Sequence, residues 1–362
     1  MRAAHLFAGV MLSALITGVV PAAAQSSGAT GCQAARPLGV ARTIEVDAAR
    51  GPRFGHQQYK DLNVLNDREV ILTFDDGPLR PYTRPVLDAL DAHCTRATFF
   101  MVGRMAAADP EMVKEVARRG HTVANHTWSH RNLRTANAGA QRQEIELGVS
   151  MVRRTAGVPI SPFFRFPYLS DPQGAQQYLA GRNIAMFSIE VDSNDYRTKD
   201  PQIVHRNVMN QLVAQGKGII LFHDIQPSTA GALRRLLDDL AAQKFKVVHV
   251  VSKSPVVTVP EFDAMAEKEL AKRKTVVASQ PLAPRAMTWP VGSPTPPTTR
   301  VAAPIGAARP LAPLPAMPAP AVTQPLPPQT AAPEPTLAPA PIERPRGRGD
   351  EASWQSRVFD NY

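Results

Sequence analysis

From Val70 onward the sequence alternates with a regularity that few folds accommodate. Short runs of β-branched and aromatic residues are separated by amphipathic stretches of roughly ten to fifteen residues, the signature of repeated βα units. The runs at Val70–Phe74, Ala97–Val102, His121–Ala124, Pro162–Phe166, Ile184–Ile189, Gly218–Phe222 and Lys246–Val251 predict seven strands. Helices between them have legible ends. Asp109-Pro110 caps and starts one that runs through Met112, Val113 and Val116 and stops at Gly120. Leu233, Leu236, Leu237 and Leu240 recur at helical spacing and mark a core-facing stripe rather than a cofactor box. This α/β pattern predicts a barrel of about seven strands, with an open doubly wound sheet as the alternative.

The flanks read differently. Met1–Ala24 has Arg2, an apolar stretch from Leu6 to Val20 and the small residues Ala22-Ala23-Ala24, so it reads as an export signal. An uncleaved anchor is the alternative, though the stretch is short and interrupted for a membrane span. In either case the remainder lies outside the cytoplasm, periplasmic or secreted. Residues 25–68 form a mixed lead with few periodic signals. Cys32 and Cys94 are the only cysteines; an oxidising compartment would permit one bridge, but the sequence does not supply its geometry. Of 35 prolines in 362 residues, 20 fall between Pro281 and Pro345. Residues 256–362 therefore read as a disordered, extended tail, with a short charged helix at Glu261–Lys274. Trp354, Phe359 and Tyr362 make its end a docking peptide or a frayed terminus, so the tail either contacts a protein or the cell wall or acts as a spacer.

The net charge of +10 suits an anionic envelope polymer or nucleic acid. No basic-aromatic stripe or nucleic-acid motif accompanies it, which argues against nucleic acid.

Polar residues of catalytic type gather just after the predicted strands, where βα barrels build their active sites. Asp75-Asp76-Gly77 follows the first run, His126 and His130 the third; Arg165 ends the fourth, Asp192 and Asp195 follow the fifth, and His223-Asp224 the sixth. Two imidazoles four residues apart can face one cation, and a carboxylate from another strand end completes three ligands with an open position. Adjacent Asp75 and Asp76 diverge, so one can bind metal while the other stays free as a base. His223 is of the type needed for a general acid. Asp192 or Asp195 is placed to pair with it, and Arg165 with Asp75. Taken singly, each of these has an ordinary structural reading as a surface pair, a turn or an ion pair.

Five segments together carry a resemblance: Thr73-Phe74-Asp75-Asp76-Gly77-Pro78, Asn125-His126-Thr127-Trp128-Ser129-His130, Arg165-Phe166-Pro167-Tyr168, Asp192-Ser193-Asn194-Asp195-Tyr196 and Leu221-Phe222-His223-Asp224. In order, they resemble the motifs of the NodB-homology polysaccharide deacetylases, carbohydrate esterase family 4, over roughly residues 69–252 of a domain spanning 69–255. The resemblance implies a distorted (β/α) barrel and a divalent metal, usually Zn2+, held by Asp76, His126 and His130. It implies Asp75 as base, oriented by Arg165, and His223 as acid, tuned by Asp195. It further implies an oxyanion donor in the Tyr168 N–H. Tyr168 and Trp128 become candidates to flank the sugar or to pack the loops. Leu169-Ser170 stands where the family usually has glycine, and Tyr196 where it usually has tryptophan.

The expected function is hydrolysis of N-linked acetyl groups, a linear amide bond, on an envelope or extracellular polysaccharide such as peptidoglycan, a chitin-like oligomer or an exopolysaccharide. An O-acetyl esterase and a non-catalytic glycan-binding scaffold are the alternatives. The first needs no acid for a leaving amine, and the second needs neither Asp75 nor His223.

Overall fold

Each of the seven apolar runs forms a strand. The computed structural model describes residues 32–60 and 62–279. Among them the strands are β1 (Arg42–Val46), β2 (Arg53–Phe54), β3 (Glu69–Asp75), β4 (Thr98–Met101), β5 (Thr122–Asn125), β6 (Phe163–Phe164), β7 (Ala185–Phe187), β8 (Val191–Asp192), β9 (Gly218–His223) and β10 (Lys246–Ser252). Their pairings are parallel. The order runs β3-β4-β5-β6-β7; β8 follows β7 after Ser188–Glu190 and pairs with β9, which pairs back to β3. The paired order β8-β9-β3-β4-β5-β6-β7 thus has the chain-adjacent strands β7 and β8 at its two ends, which is consistent with the expected distorted barrel.

The alternation of side chains along each strand explains two apolar layers. Ile71, Phe100, Ala124, Phe163, Phe187 and Ile219 point inward and fill the ring. Their neighbours Leu72, Phe74, Phe99, Phe164, Ile220 and Phe222 point outward into the main cluster under the helices. Being buried on both sides is why the strands read as continuous apolar runs. The helices are α1 (Arg80–Ala92), α2 (Gly103–Ala108), α3 (Pro110–Arg118), α4 (Ala138–Ala156), α5 (Gln173–Gly181), α6 (Pro201–Gln215), α7 (Pro227–Ala242) and α8 (Pro260–Ser279). Asp109 caps α3 by accepting from the Met112 N–H at 3.1 Å, and Gly120, at φ +80°, ends the turn that follows. The four leucines of α7 are fully buried.

β1 and β10 lie outside the simple repeat. β10 begins beside β3, pairing Lys246 with Glu69, and then leaves it. Farther along, Thr122 Oγ1 donates to the Val250 carbonyl at 2.6 Å, Ser252 Oγ lies 3.0 Å from Ser161 Oγ, and the Val256 N–H donates to Ile160 O at 2.9 Å. β10 thus crosses beneath the N-terminal ends of β5 and β6, with β1 paired along it from Arg42 to Val46. Val46, Val248 and Val250 close the interior core from below.

Ordered elements extend beyond residues 69–255. The lead supplies β1 and β2, and the folded part continues into α8. Phe262, Ala266 and Leu270, spaced by one turn, pack against the main cluster, and Arg142–Glu261 (2.9 Å) and Arg154–Glu267 (2.8 Å) flank them on α4. The bridge left open by the sequence forms: Cys32 and Cys94 are bonded with Cα atoms 5.4 Å apart. No described helix is long and apolar enough to cross a membrane. The expected export signal and the proline-rich segment lie outside the described residues.

Candidate active site

The site occupies the C-terminal ends of the parallel strands. Strand register does the first part of the assembly: Asp75, last in β3, pairs across with His223, last in β9. One residue later the backbone turns, and Asp76 adopts φ +77°, which separates the two adjacent carboxylates. Gly77 then passes so close to the β9–α7 loop that a Cβ there would fall 2.2 Å from the Asp224 carboxylate. Asp224 fills that space, accepting from the Gly77 N–H at 3.1 Å and from Thr83 Oγ1 at 2.6 Å. Burial pushes its carboxyl up to about 7, opposed by the Thr83 and backbone hydrogen bonds.

The two histidines come from the loop after β5. The His126 N–H donates to Met101 O at 2.9 Å, and its Nδ1–H donates to Arg165 O at 2.7 Å, which aims the Nε2 lone pair at the aspartates. The His130 N–H donates to Thr127 Oγ1 at 3.0 Å. Glu144 of α4 holds the intervening turn through the Ser129 N–H (2.9 Å) and Ser129 Oγ (2.7 Å). As a result, Asp76 Oδ1 lies 3.2 Å from His130 Nε2 and 3.5 Å from His126 Nε2. Donor atoms of all three residues lie within 4.8 Å of one another, all buried.

This set fits a divalent cation. Neither Asp76 oxygen receives a hydrogen bond among the described residues although the side chain is fully buried. An uncompensated buried carboxylate is costly, and burial accordingly pushes Asp76 up to about 8. Burial also lowers His126 to about 4 and His130 well below its ordinary value. Both imidazoles are therefore neutral ligand donors near pH 7. Two nitrogens and one carboxylate oxygen make a donor set of the kind that holds a divalent metal ion.

Arg165 braces the second carboxylate. It is fully buried, with Nη1 donating to Asp75 Oδ1 and Thr73 Oγ1 (each 2.8 Å), Nη2 to Ser188 O (3.1 Å) and Nε to Phe187 O (3.3 Å). Its guanidinium also lies over Phe100, 4.4 Å from the ring centroid. Asp75 Oδ2 is left 3.7 Å from His126 Nε2, beside the three-donor set.

His223 stands on the other side, its Nε2 4.0 Å from Asp76 Oδ2. Of the two aspartates the sequence left open, Asp195 is its partner. His223 Nδ1 donates to Asp195 Oδ1 and the His223 N–H to Asp195 Oδ2, both at 2.7 Å; Thr229 Oγ1 donates to Oδ2 as well. Burial alone lowers His223, but the Asp195 charge and hydrogen bond, with Asp76 and Asp75 behind them, outweigh it and push the imidazole up to about 10. Asp192 instead closes a local turn, accepting from the Asn194 N–H at 2.8 Å.

The aromatic candidates separate. Tyr168 packs against His130, ring centroids 4.8 Å apart, on a turn in which Tyr168 (φ +59°) and Leu169 (φ +49°) are both left-handed. Trp128 is wedged against Gly103, whose added Cβ would lie 2.7 Å from the indole, with Arg104 over its ring. Tyr196, in the place of the family's usual tryptophan, stands edge-on to His223 at 5.5 Å. Sequence reasoning missed Thr73, Glu144, Asp224 and Thr229 as supports. Only Thr73 and Asp224 sit inside a recognisable motif.

A family model described as polysaccharide deacetylase matches residues 63–185. A peptidoglycan-N-acetylglucosamine deacetylase of Bacillus cereus is 35% identical over 144 residues, covering 40% of this chain and 52% of that protein. The chain thus spans about half that relative's length. A chitin deacetylase of Colletotrichum lindemuthianum is 30% identical, covering 50% of this chain and 77% of that one. A chitooligosaccharide deacetylase of Bradyrhizobium is 34% identical, covering 46% and 74%. Among solved structures, a peptidoglycan deacetylase of Bdellovibrio bacteriovorus superposes with a TM-score of 0.55 at 28% identity, covering 61% of each chain.

Proposed function

Because the chain belongs to the polysaccharide deacetylase family, we propose that it is an exported, metal-dependent hydrolase that removes N-acetyl groups from an envelope or extracellular polysaccharide. Peptidoglycan, chitin-like oligomers and an acetylated exopolysaccharide are the substrate classes. The observation that carries this reading is the buried Asp76–His126–His130 set flanked by two differently braced groups, Asp75 and His223.

Asp76, His126 and His130 would hold the cation. When bound, a divalent ion such as Zn2+ supplies Lewis-acid polarisation of the acetyl carbonyl and lowers the pKa of water. Asp75, oriented by Arg165, takes a proton from the attacking water as its oxygen bonds to the carbonyl carbon. The Tyr168 N–H donates to the oxygen that becomes negative. His223 Nε2 then gives its proton to the amine as the carbon–nitrogen bond breaks, releasing acetate and a free amino sugar. Asp195 favours the protonated ring and fixes Nδ1 as the buried donor, so Nε2 faces the reaction. A braced acid of this kind favours an amide over an ester, whose alkoxide leaves with less help.

The test is acetate release from peptidoglycan, N-acetylated chitooligosaccharide, acetylated exopolysaccharide and O-acetylated sugar, before and after chelation and with metal added back. Release from an N-acetylated glycan that stops on chelation and returns with zinc is expected. Release from O-acetylated sugar alone would make the chain an esterase, and glycan binding without acetate release would make it a binding protein.

A further inference from the structure

The proposed oxyanion donor sits on a turn that L-residues adopt unwillingly. Tyr168 and Leu169 are consecutive at φ +59° and +49°, a region that favours glycine because it has no Cβ. The family pattern places glycine after the aromatic, and this chain has Leu169-Ser170 instead. Within the turn, the Leu169 N–H donates to Phe166 O and the Ser170 N–H to Pro167 O, both at 3.0 Å. The Leu169 carbonyl is held from outside, by Gln58 Nε2 at 2.6 Å.

Gln58 belongs to a segment anchored along its length. On one side, Phe54 O accepts from the Ser188 N–H at 2.7 Å and the Gln57 N–H donates to Ile189 O at 3.0 Å. The His56 N–H donates to Glu190 Oε1 at 2.7 Å. On the other side, Arg53 Nη1 donates to Gln176 Oε1 at 3.2 Å, and Gln176 Nε2 donates to the Asp171 carbonyl at 2.9 Å. The segment therefore ties the Tyr168–Leu169 turn to Ser188, whose carbonyl accepts from Arg165. It precedes residue 63, where the family match begins.

We propose that Gln58 is a positioning residue that holds the Tyr168–Leu169 turn in its left-handed conformation and so stands in for the glycine this chain lacks. Its effect on turnover rests on the deacetylase reading; its effect on the turn does not. Gln58→Ala, Leu169→Gly and the double variant, made in the zinc-loaded full chain, test both. On an N-acetylated chitooligosaccharide, Gln58→Ala is expected to lower kcat about tenfold with KM within about twofold, because the donor is misplaced only where charge develops. Adding Leu169→Gly should restore kcat to within about threefold of Leu169→Gly alone, since glycine holds the turn unaided. Zinc content stays unchanged.

Hydrogen exchange of the 166–172 amides should quicken in Gln58→Ala while that of 125–130 does not. A kcat within twofold of the parent, an equal loss with and without Leu169→Gly, or unchanged exchange at 166–172 overturns the proposal. If the parent releases acetate from no glycan, the deacetylase reading falls, and the exchange measurement alone decides the role of Gln58.

Discussion

Asp195→Asn isolates the charge that governs the proposed acid. The substitution keeps one of the two acceptor oxygens that the His223 ring and backbone N–H use, and removes the largest of the charges that, with Asp76 and Asp75 behind it, lift the imidazole to about 10 against the effect of burial. With that charge gone, burial opposes the protonated ring and the imidazole falls from its raised value, so fewer rings carry a proton as pH climbs. The variant-to-parent rate ratio should therefore worsen between pH 6 and pH 8, within the roughly 10²–10⁴-fold that a positioned proton donor contributes. Initial rates of acetate release from zinc-loaded protein across pH 6–9, with metal content measured in each sample, read this directly. A ratio independent of pH would show that Asp195 only positions the ring, and the acid assignment would fail. Stability carries the same sign. His223 is raised in the folded state, so its contribution is complete below pH 6.5 and is lost as pH climbs through about 10. Asp195→Asn should therefore flatten the alkaline side of the stability profile.

Asp75→Asn should retain the metal while lowering kcat by about 10²–10⁴-fold, the contribution of a positioned base. His126→Ala should lose metal and turnover together, as seen by metal analysis after dialysis and by acetate release. Phe262→Ala empties a buried position under α8 and should cost about 3–5 kcal/mol in chemical denaturation. Termination after residue 255 should impair folding, whereas termination after residue 279 should not.

Legibility followed the range of the interactions. Val70–Phe74 and Gly218–Phe222 could be read because parallel strands covered on both sides leave an unbroken apolar run, and each was placed within a residue of its observed limits. β1 could not, because Arg42–Val46 holds only Ile44 and Val46 as apolar residues and gains its meaning from β10, some 200 residues later. The stripe Phe262, Ala266, Leu270 was obscured by the charged residues around it, and its partner surface is on α4. The same division holds in the site. Asp75, Asp76, His126, His130 and His223 lie in compact motifs at strand ends. Glu144 and Gln58 act through backbone groups of distant loops, and nothing in their own neighbourhood marks them. Trp128 lay inside a motif, but the bare Gly103 that receives its indole is visible only in three dimensions.

The strand pair that seals the bottom of the ring also sets when the molecule can be completed. Arg42–Val46 is synthesised early and Lys246–Ser252 late, and neither finds its edge partner until nearly the whole domain has emerged. So distant a pairing demands closure of a very long loop before it returns any stabilisation, which slows folding and makes it a whole-domain event. A chain interrupted before Lys246 would keep the Arg42–Val46 edge unpaired, open to other strands and to proteases.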